Sequence, residues 1–224
     1  MKAICKKFPK TMQVLGFSGS GKDTQIDKLS ELCGYEKIST GKMFREEYER
    51  GTEMGLKAFE YWGKGKWNPD EMVYEMFPGY LKQFDPRKPW IFSQVTRSVN
   101  QISLFDELLA KYDRKLEKVV YFFLSEEVAI ERMSLRRMCP KCGDDHYHLK
   151  FVPPRSGKLC DKCSVELVKR PDDEPRKIRS RIREFHRTVD AVVDVYRKRG
   201  ILIEIDASPS IEEIHQEVVR QLAK

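Results

Sequence analysis

The run Gly16-Phe17-Ser18-Gly19-Ser20-Gly21-Lys22-Asp23-Thr24-Gln25 carries the residue types and spacing that grip phosphate. Glycines allow a backbone to curl until several N–H groups point into one hollow, and a helix N-terminus behind them adds partial positive charge. Lys22 supplies a mobile full charge for β- and γ-phosphates. The Gly-x4-Gly-Lys pattern ordinarily continues with Ser or Thr; here Asp23 intervenes and Thr24 follows one place later. A purely structural glycine turn would satisfy the same letters, so the flanks decide. Residues 12–17 are an apolar run, and Ile26, Leu29 and Leu32 share one side of the segment that follows. Strand, glycine turn and helix in that order are the context a phosphate loop requires.

A second constellation is Cys139-x2-Cys142 and Cys160-x2-Cys163, with seventeen residues between the pairs. Two knuckles at this spacing can close a tetrahedral thiolate site around Zn²⁺. Residues 138–170 also hold prolines and glycines without a long apolar period, so they read as an insertion lacking a core of its own. Such a segment needs a metal staple to fold. Four thiolates leave no open coordination position, which makes the expected zinc structural and not catalytic. Disulfides and redox chemistry are the competing readings; a reducing compartment disfavours the first and the paired knuckles the second. His146 and His148 are expected to pack or face solvent, and Cys5 and Cys33 to be ordinary small residues.

The elements that must position these groups follow from periodicity. Residues 10–17 read as a buried first strand and 23–33 as a helix stopped by Gly34. Strands are expected again at 37–39, at 90–92 within 89–95, at 119–124 and at 201–205, the one at 119–124 buried on both faces. Residues 40–67 are polar, helical and broken by glycines, which reads as a small mobile excursion outside the core. Asn68-Pro69-Asp70-Glu71 starts a helix that Pro78-Gly79 should interrupt. Ile102, Phe105, Leu108, Leu109 and Tyr112 recur at helical spacing, and Ser125-Glu126-Glu127 opens another helix. Ile178, Ile182, Phe185, Val189, Val192, Val193 and Tyr196 mark a long amphipathic helix, and Ser210-Ile211-Glu212-Glu213 is a capping box for a last one. Strands alternating with helices predict an α/β fold: a five-stranded parallel sheet of the P-loop NTPase type, flanked by helices, with ligands beyond the strands' carboxyl ends.

Composition narrows the function classes. The chain has 224 residues, 40% hydrophobic and 34% charged, which suits one globular domain carrying a small insertion. No apolar run approaches a membrane span and the first ten residues lack an apolar signal core, so a cytoplasmic setting with no membrane partner is expected. The net charge of +7 suits anionic partners. It is spread along the chain without interleaved aromatics, which disfavours a nucleic-acid partner; the basic helix from Arg176 to Arg183 is the one stretch that would serve that reading.

Taken together, the loop, the polar excursion and the cysteine insertion resemble the adenylate kinase family, in the long form whose lid carries zinc, across about 200 residues. Ser39-Thr40-Gly41-Lys42-Met43-Phe44-Arg45 resembles the family's Ser-Thr-Gly-Asp-x-x-Arg, implying Thr40 and Arg45 in the AMP site. Gly65-Lys66-Trp67-Asn68-Pro69-Asp70 parallels the segment closing a monophosphate-binding subdomain, here 39–68. Phe92-Ser93-Gln94-Val95-Thr96-Arg97-Ser98 stands where the family has Phe-Asp-Gly-Phe-Pro-Arg-Thr. That implies Arg97 on the AMP phosphate and Gln101 on the adenine edge.

Arg132 and Arg136 match the lid arginines that meet ATP, alongside Gly19, Ser20, Gly21, Lys22, Asp23 and Thr24. Leu167-Val168-Lys169-Arg170-Pro171-Asp172-Asp173 resembles the Arg-x-Asp-Asp closing the lid at 138–170. It implies Arg170 as a phosphate ligand and Asp172 and Asp173 as lid-closing acids, and Arg181 falls at the spacing of the last phosphate arginine. The resemblance thus implies a single kinase domain over 1–224, monomeric, transferring a phosphoryl group from Mg²⁺–ATP to a nucleoside monophosphate, foremost AMP. Lys22, Arg97, Arg136, Arg170 and Arg181 would carry the catalytic positive charge. Phosphoryl transfer needs alignment and charge more than a base, and guanidinium forks hold phosphate oxygens bidentately. Closing a lid over both substrates also excludes water.

Two acidic positions of the pattern are replaced by Lys42 and Ser93, and Ser18 replaces a loop proline. A nucleotide-binding protein without appreciable catalysis is the alternative these losses favour. Asp23 is an added carboxylate. It either takes over part of the magnesium role or pairs with Lys42, or it is a solvated acid at a helix start.

Overall fold

The computed structural model describes residues 2–62, 66–142, 147–169 and 173–224. A short helix α1 (Lys2–Cys5) precedes strand β1 (Thr11–Leu15), every residue of which is buried. Helix α2 (Lys22–Cys33) follows the glycine loop and ends at Gly34, whose N–H caps the Ser30 carbonyl at 2.7 Å. Then come β2 (Glu36–Ser39), the helix pair α3 (Thr40–Glu49) and α4 (Glu53–Trp62), α5 (Asp70–Leu81), β3 (Trp90–Ser93) and α6 (Val99–Ala110). Strand β4 (Lys118–Phe123) leads into α7 (Glu126–Leu135). Just before the insertion, β5 (Arg136–Arg137) forms a two-residue ladder with β6 (Tyr147–His148) inside it. Helix α8 (Pro175–Lys198), strand β7 (Leu202–Asp206) and α9 (Ile211–Leu222) complete the chain.

The main sheet has five strands in the order β2-β3-β1-β4-β7, and every pairing is parallel. Parallel strands need crossover helices, and those helices cover the sheet, which is why β3 and β4 are mostly apolar and all of β1 is buried, its polar Thr11 and Gln13 included. Helix α8 buries the seven apolar residues expected from its spacing, and α9 buries Ile214, Val218 and Leu222 beneath a reciprocal Ser210–Glu213 capping box. Ser98 and Ser125 cap α6 and α7 by accepting from the backbone N–H three residues on.

Three local expectations are corrected. Helix α5 runs through Pro78 to Leu81 instead of stopping before it. Burial of Phe77, Tyr80 and Leu81 outweighs the missing backbone donor, and the Tyr112 hydroxyl donates to the Pro78 carbonyl at 3.1 Å. The polar stretch after β2 does not lie wholly outside the core, because Met43, Phe44 and Ala58 are buried within it. Finally, Cys5 and Cys33 are bonded to each other as a disulfide. Sequence could not anticipate this pairing, since only the docking of α1 on the end of α2 brings the two thiols together.

The carboxyl end of the sheet is organised by a buried glutamine. Gln13, in the middle of β1, has its amide oxygen accept from the N–H groups of Val95 and Thr96 at 3.1 and 3.0 Å. Its amide nitrogen donates to Thr96 Oγ1 at 2.7 Å, and the Thr96 hydroxyl also meets Tyr196 at 3.2 Å. These bonds hold the turn after β3, where Gln94 adopts a left-handed φ of 49°, and so set where Arg97 emerges. None of the described helices is long and apolar enough to cross a membrane.

The disulfide closes a loop with a sequence separation of 28, so Cys5→Ser should lower unfolding free energy by about 2–4 kcal/mol. Denaturant titrations with and without dithiothreitol check this: reductant should bring the unaltered protein to the variant's midpoint and leave the variant unchanged.

Candidate functional site: two cation-lined cavities

The loop between β1 and α2 is shaped by Gly19 and Gly21, at φ of 90° and 76°. Side chains rarely adopt that left-handed region, and a Cβ on Gly19 would also lie 3.2 Å from the Met133 side chain. The turn delivers the backbone N–H groups and the start of α2 to a cavity of about 270 Å³. Ser18, Gly19, Ser20, Gly21, Lys22, Asp23 and Thr24 line it from the loop, and Arg132 and Arg136 from the end of α7 and from β5. The Ser20 hydroxyl is buried and has no partner among the described residues. An orphaned hydroxyl inside a curl of backbone donors suits a bound anion's oxygen.

Lys22 is 15% exposed and lies 3.4 Å from the Asp23 carboxylate. Partial desolvation by the surrounding loop opposes ionisation of Asp23. The Lys22 charge, a hydrogen bond from Ser93 and the Arg136 charge outweigh it, and the pKa lies below the usual carboxylate value. Lys42 turns to Glu46 at 3.5 Å, so the Lys42–Asp23 pairing considered from sequence does not form. Nor does Asp23 cap the helix, since Gly21 holds the N-cap position. Arg132 donates to the carbonyls of Gly19 at 3.5 Å and Ser208 at 3.1 Å, which ties the end of α7 to the loop.

A second cavity, of about 720 Å³, opens on the other side of the loop's strand. Thr40 and Arg45 of α3, Arg97 after β3, Gln101 of α6 and Arg181 of α8 all line it. Arg97 is stacked on the Trp67 indole, with its guanidinium carbon 3.7 Å from the ring centre. Burial pulls its pKa down to about 10, and it remains charged at neutral pH. Gln101 is fully engaged here: its amide oxygen accepts from the Arg97 N–H at 2.6 Å and its amide nitrogen donates to Asp70. Ser98 Oγ also donates to Asp70, at 3.0 Å. In this arrangement Gln101 therefore positions Arg97.

An arginine from each cavity meets at one carboxylate. Asp173 is 0% exposed and accepts two bonds from Arg136, at 2.8 and 2.7 Å. Arg181 Nη1 lies 3.6 Å from the same carboxylate, while its Nη2 donates to Ser18 Oγ in the phosphate loop. Arg136 faces the first cavity and Arg181 the second. Of the residues expected in the site, Arg170 and Asp172 lie outside the described residues. Asp173 lines neither cavity and instead anchors the arginines that do.

In the insertion, the sulfur atoms of Cys139, Cys142, Cys160 and Cys163 all lie within 4.8 Å of one another. Zn–S bonds of ~2.3 Å in a tetrahedron would separate the sulfurs by about 3.8 Å, and Cys142 Sγ lies 3.8 Å from Cys160 Sγ. The four side chains therefore fit a structural zinc ion. Buried Tyr147 supports them. Its hydroxyl sits 3.5 Å from Cys160 Sγ and accepts from the Asp161 N–H at 2.8 Å. A hydrogen bond from that hydroxyl holds the Cys160 thiol down to about 6.

Sequence reasoning missed several residues of the site. His148, expected only to pack or face solvent, lines the first cavity, and its Nε2 is buried without a partner among the described residues. Trp67 and Asp70 entered only as letters of a motif. Gln13 carried no signal at all, because a polar residue in a buried strand shows its purpose only when its partners are seen.

A family model described as adenylate kinase matches residues 14–201 of the chain. A protein named adenylate kinase from Archaeoglobus fulgidus is 39% identical over 210 residues, covering 94% of this chain and 96% of its own. Proteins of the same name from Methanocella arvoryzae and Kosmotoga olearia are 37% and 36% identical, over 94% and 93% of this chain and 98% and 97% of theirs. Sheet order, phosphate loop and cysteine cluster agree with those matches. The chain therefore belongs to the adenylate kinase family and is a phosphotransferase with the P-loop fold of that family.

Proposed function

We propose that the protein transfers the γ-phosphoryl group of Mg²⁺–ATP to AMP, reversibly, giving two molecules of ADP. The observation that carries this reading is the buried Asp173, which joins an arginine of the loop cavity to an arginine of the second cavity. A shared anchor of that kind holds cations around the gap that a moving phosphoryl group must cross.

ATP occupies the loop cavity in this reading, with its phosphates on the backbone of Gly19 to Gly21, on Lys22 and on Thr24, and with Arg132 and Arg136 above. The monophosphate enters the larger cavity, where Thr40, Arg45 and Arg97 take its phosphate. An AMP phosphate oxygen attacks the γ-phosphorus, the bond to the β–γ bridging oxygen breaks, and ADP departs with that oxygen. No general base is needed, because the attacking phosphate is already ionised. Lys22, Arg97, Arg136, Arg170 and Arg181 offset the charge that spreads over the equatorial oxygens. Mg²⁺ neutralises the triphosphate and orients it. Gln101 favours AMP: once it lets go of Asp70, its amide takes the adenine edge.

We assign residues 39–68 as the monophosphate-binding subdomain and 138–170 as the lid, within one domain over 1–224. Asp172 and Asp173 draw the lid shut. Cys139, Cys142, Cys160 and Cys163 hold Zn²⁺, which keeps the insertion folded and leaves the chemistry to the arginines. A monomer in the cytoplasm, without nucleic-acid or membrane partners, completes the reading. The Cys5–Cys33 bridge bears on stability, since neither residue lines either of the two cavities.

A coupled assay of ADP formation from ATP with AMP, CMP, UMP or GMP tests the reaction. AMP should be the preferred acceptor; no phosphorylation of any monophosphate by zinc-replete protein would favour a nucleotide sensor instead. Lys22→Ala should lower kcat by at least about a hundredfold, the scale for one lost transition-state charge contact. Arg97→Ala should raise the acceptor KM by about tenfold or more, as expected for a charge-assisted phosphate contact.

Metal analysis should return one zinc per chain. Cys142→Ser should lose that zinc and lower the melting temperature, while turnover well below melting changes far less. A Cys142→Ser protein that kept both its zinc and its melting temperature would overturn the zinc assignment.

A further inference from the structure

P-loop enzymes hold Mg²⁺ from two places: a hydroxyl directly after the loop lysine and a carboxylate on a nearby strand. Here both places are filled, with the residue types the other way round. Asp23 follows Lys22 in the first turn of α2, and Ser93 is the last residue of β3. Strand β3 pairs with β1, which feeds the loop, so the two positions are neighbours at the carboxyl end of the sheet. The side chains meet: Ser93 Oγ donates to Asp23 Oδ1 at 2.9 Å across 70 residues of sequence.

We infer that Asp23 and Ser93 are an exchanged magnesium-holding pair, with the carboxylate on the loop and the hydroxyl on the strand, together fixing the water shell of the Mg²⁺ that accompanies the donor triphosphate. The inference rests on the kinase reading above. The donor set fits the ion. Mg²⁺ takes hard oxygen ligands, keeps several of its waters, and uses one or two carboxylates beside substrate phosphates. Asp23 lines the loop cavity and its side chain is 73% exposed, so its carboxylate is open to a hydrated ion.

The surrounding charges support the same assignment. Lys42 is occupied by Glu46 and does not neutralise Asp23. Lys22 does, at 3.4 Å. When the triphosphate draws Lys22 to its own oxygens, the hydrated metal replaces it as the cation beside Asp23, so the carboxylate is never left unpaired. A carboxylate serving only the α2 dipole would add slightly to stability and confer no dependence on Mg²⁺. Its hydrogen bond from Ser93 would then have no bearing on nucleotide binding.

The test uses Asp23→Ser, Asp23→Asn, Ser93→Asp and the double exchange Asp23→Ser/Ser93→Asp. Mn²⁺ serves as a paramagnetic probe: its affinity in the presence of saturating ATP is read by electron spin resonance. Calorimetry of ATP binding with and without Mg²⁺ gives an independent reading. Asp23→Ser and Asp23→Asn should weaken Mn²⁺ about tenfold, the scale of one lost charge-assisted contact. Their affinity for ATP without metal should stay level or rise. The double exchange should recover most of the loss, because it restores one carboxylate and one hydroxyl at the same contact.

Unchanged Mn²⁺ affinity in both single Asp23 variants would overturn the pair, as would a double exchange no better than Asp23→Ser. The unaltered protein separates this from failure of the kinase reading. If it phosphorylates AMP while the Asp23 variants keep their Mn²⁺ affinity, only the exchanged pair is wrong. If it forms no ADP from any monophosphate, the kinase reading itself falls.

Discussion

A carboxylate without access to water must be paired, and Asp173 is paired twice. Removing one partner from such a group leaves an uncompensated buried charge, at about 3–5 kcal/mol. That constraint fixes more than Asp173 itself. Arg136 comes from just before the insertion and Arg181 from α8, beyond its end, so the carboxylate pins both borders of the insertion to one point. Because Arg181 also reaches Ser18, the same point is tied to the phosphate loop. One arginine from each cavity is held in place because Arg136 and Arg181 share this anion.

Around that anchor the cations are held in check by local partners. Lys22 rests on Asp23, Arg132 on backbone carbonyls and Arg97 on Trp67 and the Gln94 carbonyl. A positive cleft left unpartnered would repel itself, and these contacts offset that repulsion. The arrangement keeps the charges pre-placed, which is how electrostatic stabilisation avoids reorganisation when the reaction occurs.

The insertion obeys a different constraint. Its own apolar cluster amounts to Cys139, Tyr147, Cys160 and Leu167, with Cys163 and Val165 packed against them. Among the described residues that is little burial for a segment of this length, and a metal ion held by the four cysteines would add folding free energy. Tyr147 belongs to both systems, sitting beside a cysteine sulfur while β6 pairs with β5, whose Arg136 grips Asp173. The metal site and the charge anchor are therefore mechanically continuous.

Much of this was legible from local pattern. Alternation and period located all five strands of the sheet and the faces of α8 and α9, because burial on a strand or helix follows directly from residue spacing. Glycine spacing located the phosphate loop, and cysteine spacing the metal cluster, because both depend on residues close in the chain. Where distant packing overrides local preference, pattern failed: α5 passes through Pro78, and Cys5 bonds Cys33. The sequence by itself determined the elements, the glycine loop and the paired cysteines, since these follow from neighbours in the chain. Tertiary structure alone decided which groups meet: Gln13 with Thr96, Asp23 with Ser93, and Arg181 with Ser18, at separations of 83, 70 and 163 residues. Those meetings depend on the order in which the strands lie side by side, and no local period encodes that order.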